Sequence, residues 1–398
     1  MAFRSGRHFL QIPGPTNVPD RVLRAMNMPT IDHRSAEFAA LGHTVLQGCQ
    51  AVFQTSGPVL IFPASGTGAW EAAIVNTLSP GDRVLMVETG QFATLWVAMA
   101  RRLKLDVDLI QGDWRRGIDL GVLEAHLAAD TAHAIRSVMV VHSETSTGTL
   151  NDIPGVRAVM DRVGHPALLM VDCVSSIGSA DYRHEAWGVD VTIAGSQKGM
   201  MLPPGLGFNA VSPRALAAHA TAGMPRAYWD WADMINFNQT GFFPYTPATN
   251  LLYGLREALA MLMEETLAGV FARHIRHGAA TRAAVQAWGL EVYCADRAAY
   301  SPIVTAVQLP EGHDADRFRA MVLDNYDMSL GMGLARLKGR AFRIGHLGWF
   351  NDLMLMGALS GVEMALHDAG VPHRQGGVLA AMDVLAGRNR DAARLAAE

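Results

Sequence analysis

The sequence predicts an α/β fold with a mostly parallel sheet, followed by a smaller α+β layer. Between residues 59 and 195, short β-branched runs alternate with helix-like segments. Several runs are apolar at every residue, as expected for strands that are buried on both faces of a sheet. With 398 residues, 50% of them hydrophobic and 18% charged, the chain is also long and apolar enough for two domains with substantial cores.

The strands of the large sheet are predicted from runs of β-branched and apolar residues. These runs cover residues 59–62, 84–87, 107–110, 137–142, 167–172 and 191–194. Between them, apolar spacing near 3.6 predicts helices that stop at glycine or proline. The predicted helices cover residues 69–78, 92–103, 120–129 and 153–163.

The second half of the chain begins with an almost continuously helix-compatible stretch over residues 250–288. After it, strands are predicted at residues 291–294, 303–309 and 342–345, and helices at 314–324 and 352–367. Residues beyond about 374 are alanine-rich and polar, which indicates a surface helix or a frayed tail. The predicted organisation is an N-terminal arm (1–20), a large domain (21–265) and a small C-terminal domain (266–398).

Composition and charge exclude several classes of protein. The net charge is −4 and no basic run is present, so a nucleic acid is not expected as a partner. Cys49, Cys173 and Cys294 are far apart and in no metal-ligand spacing, so no metal site is expected and a reducing cytoplasm fits best. The N-terminus lacks the apolar core of a signal peptide. The longest apolar stretch, residues 353–366, is shorter than the roughly 20 residues that a membrane span needs.

Ligands of open α/β sheets bind beyond the carboxyl ends of the strands, so functional residues are expected directly after each run. Ser65, Gly66 and Thr67 follow the run 59–62 and open a predicted helix. Small residues at a helix N-terminus allow a phosphate to approach free backbone N–H groups. The alternative is an ordinary tight turn between a strand and a helix.

Two ionisable residues end apolar strands. Asp172 closes the run 167–172, and a buried carboxylate needs a cationic partner, either a structural arginine or the protonated ring nitrogen of a cofactor. Lys198 follows the run 191–194 and is one of only three lysines, with Lys104 and Lys338, among 33 lysine and arginine residues. An amine can form a Schiff base, whereas guanidinium stays charged. The alternative is a solvated loop lysine.

A fourth strand edge, residues 142–148, is rich in hydroxyl groups and includes Thr145. These hydroxyls could reach a phosphate or a phenolic oxygen, or could form an ordinary Ser/Thr turn. Taken together, a phosphate cup, a carboxylate and a Schiff-base lysine are the parts that a pyridoxal phosphate enzyme must provide.

With these parts the chain resembles the fold type I, class V aminotransferases, most closely the serine/alanine:glyoxylate aminotransferase group. The resemblance covers residues 8–370. The matching segments are Pro13-Gly14-Pro15-Thr16-Asn17, Ser65-Gly66-Thr67-Gly68, Asp172, Gln197-Lys198, Tyr245-Thr246-Pro247 and Arg343-Ile344-Gly345.

The resemblance implies a pyridoxal phosphate site and a role for each matching residue. Lys198 forms the Schiff base and moves the substrate proton, while Asp172 keeps the ring nitrogen protonated. Arg343 binds the substrate carboxylate as a bidentate pair. The remaining implied cofactor contacts are Ser65, Gly66, Thr67 and Gln197 at the phosphate, Thr145 near the oxygen edge of the ring, and Thr246 of the neighbouring subunit at the phosphate. Phe92 stands where eukaryotic alanine:glyoxylate members have a stacking tryptophan, so the aromatic face is smaller.

A homodimer with shared active sites is expected for two reasons. The resemblance implies that the loop before Thr246 completes the partner's phosphate site. The same loop carries several aromatics that would form an exposed patch on a monomer, namely Trp229, Trp231, Phe242, Phe243 and Tyr245. Packing of these rings within one subunit is the alternative. His33 and Arg34 either line the other subunit's site or form a solvated loop.

Other activities are less consistent with the sequence. Gly66 and Gly68 with Glu88 imitate a dinucleotide-binding fingerprint, but Glu71 replaces the third glycine and a dehydrogenase leaves Lys198 unexplained. A desulfurase needs a mobile cysteine, whereas Cys294 closes a predicted strand; other class V lyase chemistry is the remaining close alternative. Transamination to glyoxylate is therefore predicted, with serine as the first choice of donor and aspartate or alanine as open alternatives.

Overall fold

The computed structural model describes residues 5–387, and its strands form two main sheets and one short hairpin. The strands in chain order are β1 (Phe9–Gln11), β2 (Val59–Ala64), β3 (Arg83–Val87), β4 (Asp106–Ile110), β5 (Ile135–Val141), β6 (Ser143–Glu144), β7 (Thr149–Leu150), β8 (Leu168–Asp172), β9 (Val191–Gly195), β10 (Gly205–Val211), β11 (Glu291–Val292), β12 (Val304–Gln308), β13 (Met328–Met332) and β14 (Ala341–Gly345).

Helices surround both sheets. In chain order they are α1 (Asp20–Met26), α2 (Ala36–Phe53), α3 (Gly66–Thr77), α4 (Gln91–Arg102), α5 (Leu120–Ala129), α6 (Ile153–Arg162), α7 (Pro213–His219), α8 (Trp231–Asn238), α9 (Thr249–Glu265), α10 (Leu267–Trp288), α11 (Ala315–Tyr326), α12 (Asp352–Asp368) and α13 (Gly377–Leu385).

The large sheet has seven strands in the order β2-β10-β9-β8-β5-β3-β4. Only β10 runs antiparallel, to β2 on one side and β9 on the other. Every residue of β8 and β9 is buried, which explains why their sequences are apolar without alternation. The predicted α/β class with a mostly parallel sheet is therefore confirmed.

The second sheet has the order β1-β13-β14-β12-β11 and is antiparallel except for the β1–β13 pair. Its first strand, β1, comes from the N-terminus, so the chain begins on the sheet that the C-terminal part otherwise builds. The pairing places β1 next to β13, which in turn pairs with β14, the strand that contains Arg343. Neither β1 nor β13 was predicted from the sequence.

Two main hydrophobic cores accompany the sheets. The larger one is formed by buried residues from Val22 to Val270, and the other by buried residues from Ala280 to Val384. The domain boundaries at residues 20 and 265 stay a prediction. Among residues 5–387, no helix combines the length and hydropathy that crossing a bilayer requires.

The predicted continuous helix over residues 250–288 is wrong at one residue. α9 ends at Glu265 and α10 begins at Leu267, with Thr266 between them at a φ of 67°. The Thr266 side chain accepts a hydrogen bond from the Gly269 N–H at 3.2 Å and thereby caps α10. Threonine is compatible with a helix, so composition alone does not reveal this break.

For residues beyond 374, the structure bears out the surface helix, the first of the two predicted alternatives. Residues 377–385 form α13, which packs against α10 and buries Ala381 and Val384. A Cβ on Gly377 would lie 2.2 Å from Nε1 of Trp288, so the two helices touch closely. This helix therefore lies on the surface with one face docked on α10, and it is not a frayed tail, while residues 388–398 lie outside the described part of the chain.

Candidate active site

The candidate site lies at the carboxyl ends of β2, β8 and β9. α3 begins at Gly66, directly after β2 and Ser65; Asp172 is the last residue of β8. A Cβ placed on Gly195, the last residue of β9, would lie 3.4 Å from the Gly66 backbone nitrogen. The residues predicted from separate strand ends therefore converge at one edge of the sheet.

The start of α3 fits a phosphate group. Ser65 is the N-cap residue, but its side chain makes no capping hydrogen bond, and the Ser65 and Thr67 side chains are exposed. The first-turn N–H groups of a helix have no intrahelical partners and carry a partial positive charge. A Cβ on Gly66 would lie 2.4 Å from Cγ2 of Val174, so only glycine fits at this position.

Gln197 supplies an unsatisfied polar group at the same place. Its Oε1 atom is buried and has no hydrogen-bond partner among the described residues. A Cβ on Gly195 would lie 3.0 Å from this atom, which places the amide beside the start of α3. Rotation of the amide would present its NH2 group at the same position. An orphaned amide beside a helix N-terminus fits the phosphate of pyridoxal phosphate.

Asp172 is a buried carboxylate, with 4% of the residue exposed. Its Oδ1 accepts a hydrogen bond from the Val174 N–H at 2.7 Å, and no cation of the described chain lies within ion-pair distance. Burial raises the pKa of Asp172 to about 7. Among the described residues no arginine pairs with this carboxylate, so its charge is available to a cationic ligand.

Lys198 is buried, with 9% of the residue exposed, whereas Lys104 and Lys338 are exposed. Its Nζ donates a hydrogen bond to the Pro13 carbonyl oxygen at 2.6 Å. Burial, and then the positive charge of Arg343, lower the pKa of Lys198 to about 8. A lysine with this pKa has a larger neutral fraction near neutral pH than a solvated lysine, as a nucleophilic amine requires.

Arg343 lies on β14 and is also buried, with 7% of the residue exposed. Its Nε donates to the Met332 carbonyl at 2.8 Å and its Nη1 donates to the Thr145 carbonyl at 2.9 Å. No carboxylate of the part of the chain that is described forms an ion pair with it, and burial lowers the pKa of Arg343 to about 10. A guanidinium has five N–H donors, so donors remain for a bound carboxylate.

Glu144 is a site residue that sequence reasoning missed. It is fully buried in the β6–β7 hairpin, and its Oε2 accepts from the Phe92 and Ala93 N–H groups at 3.1 Å each. Glu144 therefore caps α4 and fixes the backbone of Phe92. The sequence contains only an indirect indication of this role. Gly90, the N-cap residue of α4, has no side chain, so a residue from elsewhere in the chain must cap the helix.

Thr246 lies outside this cluster. Its side chain is exposed, and no hydrogen bond joins it to the other candidate residues in the described chain. The expectation that the surrounding aromatics are exposed is wrong for all five. Trp231 and Phe243 are buried, at 0% and 7% exposed, and Trp229, Phe242 and Tyr245 are half-buried against the larger core. Tyr228 is 44% exposed and stacks on Tyr245 with ring centroids 4.5 Å apart.

The remaining candidates have separate surroundings. His33 is half-buried and Arg34 exposed. Glu88 accepts hydrogen bonds from Trp114 Nε1 at 2.8 Å and Arg336 Nη2 at 2.7 Å, so its carboxylate is engaged within the chain. Cys294 is 1% exposed and burial raises the pKa of its thiol, which is the opposite of a mobile nucleophile.

Comparison with known proteins gives a consistent result. A family model described as aminotransferase class-V matches residues 8–335. Serine--glyoxylate aminotransferase of Methylorubrum extorquens is 49% identical over 96% of this chain and 97% of that protein. L-aspartate--glyoxylate aminotransferase of Paracoccus denitrificans is 45% identical over 94% of each. Among solved structures, pyridoxamine-pyruvate aminotransferase of Mesorhizobium loti superposes with a TM-score of 0.90 at 28% identity, covering 98% of this chain and 100% of that chain.

We expect Asp172→Asn to stabilise the cofactor-free chain, and we expect the gain to grow from pH 5 to pH 8. The folded chain holds the Asp172 proton up to about pH 7, whereas the unfolded chain releases it near 3.8. The free energy of unfolding of the wild type therefore falls as the pH rises from 3.8 to about 7, by at most about 4 kcal/mol in total. Asparagine does not titrate, so the variant does not lose this stability. Urea unfolding at several pH values measures it.

The control for this experiment is Asp119→Asn, which changes an exposed carboxylate that caps α5. This variant should gain no stability with rising pH. An Asp172→Asn chain that is no more stable than wild type at pH 8 would mean that a partner within the chain neutralises Asp172.

Proposed function

The chain belongs to the class V aminotransferases, and on that premise we propose that it transfers the amino group of a small L-amino acid, preferably serine, to glyoxylate. The enzyme uses pyridoxal phosphate, as its family does. The donor becomes an oxo acid in one half-reaction, and glyoxylate becomes glycine in the other. The donor and the residue roles below are proposals.

One observation carries this proposal: three buried ionisable side chains have no ion-pair partner in the described chain. They are Asp172, Lys198 and Arg343. Leaving a charge buried and unpaired costs several kcal/mol or shifts its pKa, so such groups are expected where a ligand supplies the partners. Pyridoxal phosphate and an amino acid together offer a ring nitrogen, an aldehyde and a carboxylate.

Each residue then has a chemical task. When bound, pyridoxal phosphate supplies an aldehyde that bonds to amines and a ring that withdraws electrons. The Asp172 carboxylate holds a proton at the ring nitrogen, and its burial strengthens that contact. With the cofactor bound, the Lys198 amine would move the proton between the substrate Cα and the C4′ carbon of the cofactor, because its lowered pKa suits proton transfer near neutral pH. Arg343 binds the carboxylate that donor and acceptor share and so orients Cα.

The phosphate anchors this arrangement at a fixed point. We propose that Ser65, Gly66, Thr67 and Gln197 bind it, because free helix N–H groups and an unsatisfied amide lie together there. Thr145 is proposed to lie near the oxygen edge of the ring, since its carbonyl already contacts Arg343. Phe92 is proposed to cover one ring face, with its position fixed by Glu144.

The choice of serine rests on similarity. The relative of 49% identity carries serine in its name, and the relative of 45% identity carries aspartate. Alanine stays open as a third donor. Donor choice depends on the shape of the pocket around Arg343. Serine and aspartate differ only in the side-chain group that this pocket must accept, which is a hydroxyl in serine and a carboxylate in aspartate.

Assays of the purified enzyme with a panel of donors test the function. We expect serine to convert the bound cofactor to its amine form with the highest kcat/KM, and glyoxylate to restore the starting absorbance with formation of glycine. Aspartate and alanine should react more slowly. A higher kcat/KM with aspartate would reassign the donor, and the absence of any reaction with glyoxylate would overturn the proposed acceptor.

Substitution of Arg343 tests the carboxylate site. Arg343→Lys keeps a charge but loses the planar fork, so kcat/KM should fall about ten- to several hundred-fold for both half-reactions. Both should fall together because one residue serves both substrates. Single-turnover absorbance changes of the cofactor measure each half-reaction separately.

A matched control is Arg319→Lys, because Arg319 also donates to a backbone carbonyl, that of Leu330 at 2.8 Å. This variant should keep both rates within about twofold of wild type. An unaltered rate for either substrate in Arg343→Lys would show that Arg343 does not bind the carboxylate of that substrate.

We also propose a homodimer in which Thr246 reaches the partner's phosphate site. The exposed Thr246 side chain and the exposed ring of Tyr228 support a contact in this loop. Thr246→Ala should weaken pyridoxal phosphate binding about ten- to hundredfold, which is the cost of one hydrogen bond to a charged group. Thr240→Ala, at another exposed threonine of the region, is the control.

Equilibrium dialysis measures the cofactor affinity and light scattering measures the mass. A monomer with full activity, or equal affinities for both threonine variants, would contradict the shared site.

We further propose a cytoplasmic location, because Cys49, Cys173 and Cys294 are all free and buried. Cell fractionation measures this directly.

A further inference from the structure

The N-terminal segment lies across two of the proposed active-site residues. We call residues 9–17 the N-terminal strap. At its start, β1 pairs with β13 and the Gln11 side-chain amide donates to the Gly345 carbonyl, two residues from Arg343. At its end, the Thr16 N–H donates to the Gln197 carbonyl at 3.0 Å, and the Thr16 hydroxyl donates to the Lys198 carbonyl at 3.0 Å. The strap therefore joins the strand of Arg343 to the loop of Lys198.

Between these two anchors the strap touches the reactive end of Lys198. Nζ donates to the Pro13 carbonyl oxygen at 2.6 Å. A Cβ on Gly14 would lie 2.4 Å from Nζ and 2.3 Å from Cδ of Lys198, and Gly14 has a φ of +112° that favours glycine. Because Gly14 leaves no space for a side chain, the strap and the lysine side chain are in direct contact.

The strap is packed equally closely against β13 and β14. A Cβ on Gly331 would lie 2.7 Å from Cδ of Pro13 and 3.0 Å from Cβ of Arg343. A Cβ on Gly345 would lie 2.3 Å from the Ile12 carbonyl oxygen. Glycines on β13 and β14 thus admit the strap, and its position is fixed relative to Arg343 as well as Lys198.

We propose that the N-terminal strap is a positioning element of the active site, in which the Pro13 carbonyl holds the Lys198 amine whenever that amine is not bonded to the cofactor. This inference rests on the proposed function, because it takes Lys198 as the cofactor lysine. A lysine side chain has a flexible four-carbon stem, and a free amine would otherwise sample many rotamers. A carbonyl on a proline of fixed φ is a rigid acceptor that keeps Nζ where it must act.

Loss of the contact between the Pro13 carbonyl and Nζ should change the pKa of Lys198, which the loss of a merely structural contact would not do. A carbonyl oxygen stabilises the charged ammonium, which has three donors and no acceptor. If the contact is lost, the pKa of Lys198 should fall below its present value of about 8 and the amine should become more reactive at neutral pH. A fall of one unit would raise the neutral fraction at pH 7 about fivefold.

Amine labelling of the full-length, cofactor-free chain tests this consequence. Trace acetic anhydride is applied between pH 6 and pH 10, and the extent of acetylation of each lysine is read by peptide mass spectrometry. The chain has only three lysines, and the exposed Lys104 and Lys338 serve as internal references in every sample. In Gly14→Ala we expect at least fivefold faster labelling of Lys198 at pH 7 and a lower pH midpoint, with both references unchanged.

The matched control is Gly6→Ala. Gly6 also has a positive φ, +99°, but a Cβ there would meet no atom within 4 Å. This variant shares the backbone strain and should label like wild type. Equal labelling of Lys198 in Gly14→Ala and Gly6→Ala would overturn the proposal.

A second variant covers the case in which Gly14→Ala does not fold. Thr16→Val removes the hydrogen bond to the Lys198 carbonyl and keeps the side-chain shape. It should at least double the labelling rate of Lys198, and an unchanged rate would also overturn the proposal. In the loaded enzyme, the absorbance change at saturating serine should slow about tenfold in Gly14→Ala and remain unchanged in Gly6→Ala.

Labelling of wild type with added pyridoxal phosphate separates the two proposals. Protection of Lys198, but not of Lys104 and Lys338, supports its assignment as the cofactor lysine. If Lys198 is protected and Gly14→Ala labels like wild type, the strap inference alone fails. If pyridoxal phosphate does not protect Lys198, both the assignment and the inference that rests on it fail.

Discussion

The structure depends on the cost of placing charges away from water. Asp172 and Lys198 are buried at the carboxyl edge of the large sheet and Arg343 is buried on β14 of the second sheet, and none forms an ion pair with another residue described here. Burial is the largest cause that shifts all three toward their neutral forms. The surrounding fold holds them in place with strands on both sides, so the folded chain retains an electrostatic penalty that bound cofactor and substrate can relieve. This arrangement favours tight and oriented binding of both.

The β6–β7 hairpin connects these groups mechanically. Its Glu144 caps α4, and its Thr145 carbonyl accepts from Arg343. The Ser143 hydroxyl lies 3.0 Å from that of Ser301, and the Ser301 N–H donates to the Gly148 carbonyl at 2.9 Å. This short hairpin, with two residues in each strand, thereby links the large sheet to the second sheet, which carries Arg343. The same hairpin contacts both Arg343 and the start of α4, where Phe92 lies.

The parts of the fold and of the site that the sequence predicts are those encoded by residues close together in the chain. Asp172 and Lys198 were identified because each ends an apolar strand, which is a pattern within a few residues. The strand β10 was missed because Gly205 and Gly207 weaken its β-propensity and it runs antiparallel within a parallel sheet. The role of Glu144 was missed, and Pro13–Asn17 was matched to the family without a role, because the contacts of both join residues far apart in the chain. The Glu144 contacts with α4 span about 50 residues, and the Lys198–Pro13 contact spans 185.

The scarcity of lysine has a consequence for an enzyme of this chemistry. Pyridoxal phosphate and the proposed acceptor, glyoxylate, are both aldehydes, and aldehydes condense with any accessible amine. Of the three lysine side chains, only Lys104 and Lys338 are exposed, and the other cationic side chains are arginines. Guanidinium groups remain charged and are poor nucleophiles at neutral pH. The surface therefore carries its positive charge in a form that resists glycation by the enzyme's own reactants, and the buried Lys198 competes with few other amines for the cofactor.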